Sequence, residues 1–115
     1  MVRKESEFRT EIREHARGGE GKVIFRHLLE SHEYANKGRL MGKIILEPGS
    51  SIGTHTHENE MEIYYFLRGV ASVVDNGEPC KLYPGEVLLT QSGQSHSIRN
   101  DGEENLEYIA MILYT

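Results

Sequence analysis

The sequence holds a single cysteine, Cys80, and no tryptophan. One thiol cannot build an internal disulfide framework, and it excludes four-cysteine zinc and iron–sulfur sites within the chain. That usage suits a reducing compartment, and a cytoplasmic protein is expected. Also missing is any apolar run near the ~20 residues of a membrane-spanning helix. The opening stretch MVRKESEFRTEIREH is charged and has no apolar h-region, so no secretory signal is read. Basic residues are in the minority, 13 Lys and Arg against 18 Asp and Glu, for a formal charge of −5. With no basic block or arginine-rich stripe, nucleic acid is not an expected partner. What remains is 115 residues, enough for one domain with one core.

Turn signals dominate the second half. Pro48-Gly49, Glu58 to Glu60, Arg68-Gly69, Asn76-Gly77, Pro84-Gly85, Ser92-Gly93 and Asp101-Gly102 follow one another at short intervals. Pro-Gly reads as a type II turn and Asn-Gly as a type I′ hairpin. Between them lie LMGKIILE, MEIYYFL, VASVVD, PCKLY, EVLLT, HSIR and NLEYIAMIL, most of them rich in β-branched or aromatic residues. Upstream, KVIFRHLL is a further strand. No helix-length segment separates the strands, so the chain is expected to be all-β, a sandwich or barrel and not a set of βαβ units. Residues 1–21 read as a polar arm in which RTEIREHA could form a short helical turn. Residues 22–115 read as the single β domain. His15, His27 and His32 lie in no motif and read as solvated or hydrogen-bonded histidines.

The chemistry concentrates between Gly49 and Gly69. His55 and His57 sit two apart, so on a strand their side chains leave one face about 6.5–7 Å apart along the backbone. The polar run Glu58-Asn59-Glu60 reads as a turn that returns Glu62 beside the histidine pair. His96, in SGQSHSIRN, opens a later strand and is the fourth candidate. Imidazoles and one carboxylate without thiolate suit a divalent ion such as Mn²⁺, Fe²⁺, Co²⁺ or Ni²⁺, with Zn²⁺ at lower coordination number.

These spacings form two glycine-punctuated motifs. Gly49, five residues, His55-x-His57, four residues, Glu62, six residues, Gly69 resembles the first sequence motif of the cupins. Gly85, Gly93, His96 and Asn100 fall in register with the second, with Gln91 standing where that pattern has proline. Within the family, HENEMEIYYFLRG and SGQSHSI are similar to the small single-domain proteins named after oxalate decarboxylase. The resemblance implies a jelly-roll (double-stranded β-helix) barrel, and a metal centre, most readily Mn²⁺, at His55, His57, Glu62 and His96. It also implies a small carboxylate ligand such as oxalate. Decarboxylase, oxygenase or isomerase chemistry would follow from an enzymatic member. The alternative is a non-catalytic module that binds or senses the same ligand. The lid stretch with a catalytic Glu found in two-domain oxalate decarboxylases has no equivalent here.

Around that centre, Glu58 and Glu60 are the candidate acids or bases. If Glu62 faces inward, Tyr64 and Phe66 face inward with it. Tyr64, Phe66 and Ile98 are then the expected ligand-contacting walls, and Tyr64 a third catalytic candidate. Arg68 and Arg99 are alternative anion clamps, though both adjoin turns and more readily point to solvent. Asn100 is read as holding a turn, and Cys80 as a small, partly buried, unreactive residue. Ile63, Tyr65 and Leu67 then face outward, and the same double apolarity marks KIIL and LEYIAMIL. Strands apolar on both faces need a second cover. Either the N-terminal segment folds across them or a partner subunit does, and a homodimer is expected.

Overall fold

A computed structural model describes all 115 residues. Ten strands form two antiparallel sheets. They are β1 (Arg9–Glu14), β2 (Lys22–His27), β3 (Gly38–Leu46), β4 (Ser51–Thr56), β5 (Glu60–Arg68), β6 (Ala71–Asp75), β7 (Glu78–Leu82), β8 (Val87–Thr90), β9 (Ser95–Arg99) and β10 (Leu106–Tyr114). The larger sheet runs β1-β2-β3-β10-β5-β8 and the smaller β4-β9-β6-β7. Their inner faces meet on a core that includes Val23, Phe25, Ile44, Leu46, Phe66, Val73, Ile98, Leu106 and Tyr108. This is the all-β architecture expected from the strand and turn pattern, in the two-sheet jelly-roll form that the cupin resemblance implies.

Side-chain parity along the strands decides which residues reach that core. Val23, Phe25 and His27 are buried along β2, and Glu62, Tyr64 and Phe66 along β5, while Tyr65 and Leu67 are exposed. The turns form by the expected chemistry. Asn76 and Gly77 both adopt positive φ, 47° and 90°, and close the β6–β7 hairpin between Asp75 and Glu78. At Pro48-Gly49 the Ser50 N–H donates to the Glu47 carbonyl, with Gly49 at φ 85°. The turn before β9 closes without proline. The Gln94 N–H donates to the Gln91 carbonyl, and the Gln91 N–H, which a proline would lack, donates to the Gln94 side chain at 3.0 Å.

Two features of the N-terminal segment differ from the sequence expectation. Residues 9–14 form strand β1 instead of a helical turn, antiparallel to β2 with Ile12 opposite Ile24. Paired there, β1 lengthens the larger sheet at its β2 edge. It leaves the outer side of β5 and β8 open, where Tyr65, Leu67, Val87 and Leu89 are exposed. Cys80, expected to be partly buried, is exposed on β7, and no helix is long and apolar enough to cross a membrane.

Asn100 is fully buried and locks the β9–β10 connection. Its side-chain amide donates to the Leu46 carbonyl at 2.8 Å and the Glu104 carbonyl at 2.9 Å, and its side-chain oxygen accepts from the Gly102 N–H at 2.9 Å. It touches none of the four clustered residues described next, in line with its reading as a turn-holding residue.

Candidate metal centre

Four side chains from both sheets converge on one point. His55 on β4 stands opposite His96 on β9 within the smaller sheet. His57 follows just beyond β4, and Glu62 reaches across from β5 of the larger sheet. One ligand atom from each lies within 4.8 Å of all the others. His96 Nε2 is 3.1 Å from both His55 Nε2 and His57 Nε2, and Glu62 Oε1 is 3.0 Å from the Nε2 atoms of His57 and His96.

The opposite ring nitrogens explain why Nε2 is the inward atom each time. His55 Nδ1–H donates to the Gly53 carbonyl at 2.7 Å, and His57 Nδ1–H to the Glu60 carboxylate at 2.7 Å. His96 Nδ1 hydrogen-bonds with the buried Thr90 hydroxyl at 2.7 Å. A carbonyl or carboxylate only accepts, so His55 and His57 carry their proton on Nδ1 and, when neutral, aim a bare Nε2 lone pair at the centre. Lone pairs of imidazole nitrogens and a carboxylate oxygen packed this closely repel one another unless a cation lies between them. The donor set, three neutral nitrogens and one anionic oxygen with no thiolate, therefore fits a divalent metal ion.

Without an ion, protons take that role. Burial pushes the His55 imidazole down to about 4. The Glu62 carboxylate raises His57 above its ordinary value against the opposing effect of burial, with Glu60 adding to it. Burial alone would raise the Glu62 carboxyl, but its hydrogen bonds with His57 and His96 outweigh that and hold it at about 2.

The centre opens into a cavity of about 210 Å³, lined by His55, His57, Glu62 and Tyr64 together with Phe25, Leu40, Ile52, Ile112, Ala16, Arg13, Arg17 and Arg39. A larger groove of about 460 Å³ along β6, β7 and β9 includes none of the clustered residues. The cavity corrects several expectations. Glu60 is not a free acid or base, because the Arg39 guanidinium holds its carboxylate at 2.8 and 3.0 Å while His57 Nδ1–H donates to the same Oε2 at 2.7 Å. Glu58 is exposed and does not line the cavity. Phe66 and Ile98 do face inward, but they are fully buried in the core and stay out of the lining. Tyr64 does line it, its hydroxyl 3.5 Å from His96 Nε2, and burial pushes its phenol well above the ordinary range. Arg68 lies at the surface beside Glu104 and Glu107, and Arg99 near Asp101, so neither clamps an anion at this centre.

Reading the sequence misses the three arginines of the lining, Arg13, Arg17 and Arg39, and the Thr90 contact. Arg39 begins the alternating stretch before LMGKIILE, but nothing local says that its partner is Glu60, 21 residues on. Gly18-Gly19-Glu20-Gly21 marks a turn next to Arg17 without saying what the turn faces.

Comparison with known proteins agrees with this geometry. The cupin domain model matches residues 42–112. The chain belongs to the cupin family. A cupin relative from Thermotoga maritima, an oxalate-binding protein, is 45% identical over 113 residues, covering 98% of this chain and 93% of its own. A crystal structure of a predicted oxalate decarboxylase from the same organism superimposes with a TM-score of 0.95 at 44% identity over all of both chains. The tetracenomycin polyketide synthase protein TcmJ of Streptomyces glaucescens is 34% identical over 76% of this chain and 56% of its own. The cupin domain of Schizosaccharomyces pombe Cnp3 shares the fold, with a TM-score of 0.73 at 14% identity.

Proposed function

We propose that this cupin binds a small dicarboxylate, oxalate or a close analogue, through a divalent metal held by His55, His57, Glu62 and His96, with Mn²⁺ as the resident ion. The observation that carries this reading is the convergence of the four ligand atoms within 4.8 Å, with each histidine braced from behind. A bound divalent ion supplies a Lewis-acidic centre for carboxylate oxygens. Four protein ligands leave room in an octahedral shell for a bidentate oxygen donor. The cavity of about 210 Å³ lies below the ~300–1,000 Å³ of sites for drug-sized ligands. Acids of a few carbons suit it better than sugars or peptides. The Thermotoga relative named for binding oxalate supports the same ligand class.

The reading is of binding without turnover in the first instance. Decarboxylation or oxidation needs a proton donor or acceptor placed at the reacting carbon. Glu60 is tied between Arg39 and His57, Glu58 lies outside the cavity, and burial holds the Tyr64 phenol protonated. The outer face of β5, β8 and β10 supports a homodimer, because Ile63 opposite Leu89 and Met111, and Tyr65 opposite Val87, form one apolar surface that the chain leaves open.

Calorimetric titration of Mn²⁺-loaded and metal-free protein with oxalate, malonate, pyruvate and a neutral sugar tests the ligand. Oxalate is expected to bind only the loaded form and to be recovered unchanged. Equal binding without metal, or preference for the sugar, refutes the ligand reading, and release of carbon dioxide refutes binding without turnover. Elemental analysis of a His55→Ala/His57→Ala variant is expected to show loss of the metal.

A further inference from the structure

We propose that Arg17 is the residue that selects dianionic over monoanionic ligands at this centre, an inference that rests on the carboxylate-binding reading above. Three arginines are among the residues that line the cavity. Two are already engaged. Arg13 is bonded to Glu11 at 2.8 Å and lies 4.8 Å over the Phe25 ring, and Arg39 forms a fork with Glu60. Arg17, exposed at the rim among the lining residues, has no carboxylate within ion-pair distance, so its charge is free to meet a ligand entering the cavity.

The chain holds this residue in place at a cost. Arg17 sits at φ 55°, ψ 30°, a left-handed conformation that is unfavourable for a residue with a side chain. The segment is seated on β4 by two close backbone approaches. A Cβ at Gly53 would run into the Arg17 carbonyl, and one at Gly19 into the Ser51 carbonyl. Reciprocal bonds complete the seat. The Ser51 N–H donates to the Glu20 carbonyl at 2.9 Å, and the Glu20 N–H to the Ser51 hydroxyl at 2.8 Å. Since β4 also carries His55, the Arg17 backbone is fixed directly to the strand that presents a clustered imidazole.

Charge neutrality then defines the ligand. A divalent ion with Glu62 and three neutral imidazoles carries a net +1. A chelating monoanion such as glycolate neutralises that centre by itself. Oxalate leaves a net −1 that a nearby positive charge stabilises. The free Arg17 guanidinium supplies the missing positive charge, together with a planar fork suited to carboxylate oxygens. Arg17 therefore matters for the dianion and little for the monoanion.

The test compares oxalate with glycolate, which presents a similar two-oxygen chelate with one charge fewer. Mn²⁺-loaded wild type, Arg17→Asn, Arg17→Lys and Arg13→Gln are titrated calorimetrically, with metal content measured in each. Asn tolerates the left-handed backbone, so the variant keeps the turn. Arg17→Asn is expected to weaken oxalate about ten- to a hundredfold, the effect of losing a charged hydrogen bond, and glycolate less than about threefold. Arg17→Lys recovers part of the oxalate affinity, and Arg13→Gln shifts it less than Arg17→Asn. Equal weakening of both acids, no weakening of either, or loss of manganese from Arg17→Asn overturns the assignment. If wild type binds manganese but not oxalate, the carboxylate reading itself falls and takes this inference with it. If wild type binds oxalate and Arg17→Asn binds it equally well, only the inference falls.

Discussion

Replacing Glu60 with glutamine isolates what a half-buried partner behind a candidate metal ligand, His57, contributes. The wild-type carboxylate accepts His57 Nδ1–H at 2.7 Å and two Arg39 N–H groups at 2.8 and 3.0 Å. A glutamine of the same shape has one accepting oxygen and one donating nitrogen. If the oxygen takes the Oε2 place, it keeps His57 and one Arg39 N–H, and the amide meets Arg39 Nε–H donor to donor. If it takes the Oε1 place, the amide faces both His57 Nδ1–H and Arg39, and the His57 Nε2 lone pair is no longer fixed. Charge-assisted hydrogen bonds of this kind contribute about 1.5–3 kcal/mol. The share passed on to a bound ion through ring orientation and basicity corresponds to about 10–100-fold in affinity. We expect Glu60→Gln to weaken Mn²⁺ binding by that factor, and Glu58→Gln, at an exposed position outside the cavity, to leave it unchanged. The electron paramagnetic resonance signal of free Mn²⁺ during titration measures both constants, and thermal melts of the metal-free proteins separate affinity from folding. Identical dissociation constants for the two variants would show that Glu60 does not brace the site.

Three further outcomes follow from the same structure. Asn100→Ala strands the buried Leu46 carbonyl together with the partly buried Glu104 carbonyl and Gly102 N–H, and should lower stability by roughly 2–4 kcal/mol in denaturant unfolding, with a change under about 0.5 kcal/mol contradicting its turn-holding role. His55 has its folded-state value depressed to about 4 from 6.5, so the unfolded chain takes up this proton first. Metal-free protein should then keep the His55 contribution above pH 6.5 and lose it between pH 6.5 and 4, by on the order of 1–2 kcal/mol after screening of this partly exposed ring. His57, raised by Glu62, is protonated in both states over most of that range and adds little slope, so a flat stability profile there would count against the His55 assignment. Sedimentation should show a dimer at tens of micromolar that a Tyr65→Glu/Leu89→Lys variant dissociates, and a monomeric wild type would remove the outer face as an interface.

The parts of this protein legible in its sequence are those decided by local chemistry. Asn76-Gly77 closes a hairpin because both residues tolerate positive φ. Alternation along MEIYYFL places Glu62, Tyr64 and Phe66 inside. The histidine pair and glutamate of the first motif lie on or beside consecutive strands, β4 and β5, joined by a short turn that crosses from the smaller sheet to the larger. Parity does not give depth along the barrel axis, so Phe66 and Ile98 face inward yet lie away from the cavity that Leu40, Ile52 and Ile112 line. Strand β1 was hidden because RTEIRE has one apolar residue. Its pairing is supported by contacts with distant partners, Glu11 to His27 and Ile12 opposite Ile24, which no local propensity records. The arginines of the cavity were hidden for the same reason, since each acquires its role from a partner or surface that only the folded chain supplies.

That division bears on the difference between a binding protein and an enzyme on this scaffold. The motif residues build a centre for a cation, and a cation with open positions binds carboxylates whatever surrounds it. Turnover requires a further group that exchanges a proton at the reacting atom. In this chain the groups near enough to do so are committed elsewhere. Glu62 faces His57 and His96, and Glu60 holds Arg39 and His57. The Tyr64 hydroxyl can donate a hydrogen bond to a bound oxygen, but burial holds its proton in place. The remaining polar groups of the cavity are guanidinium ions, which attract and orient anions and do not titrate near neutrality. With a divalent ion bound as proposed, cationic walls and these committed carboxylates would favour holding a dicarboxylate intact over breaking its carbon–carbon bond.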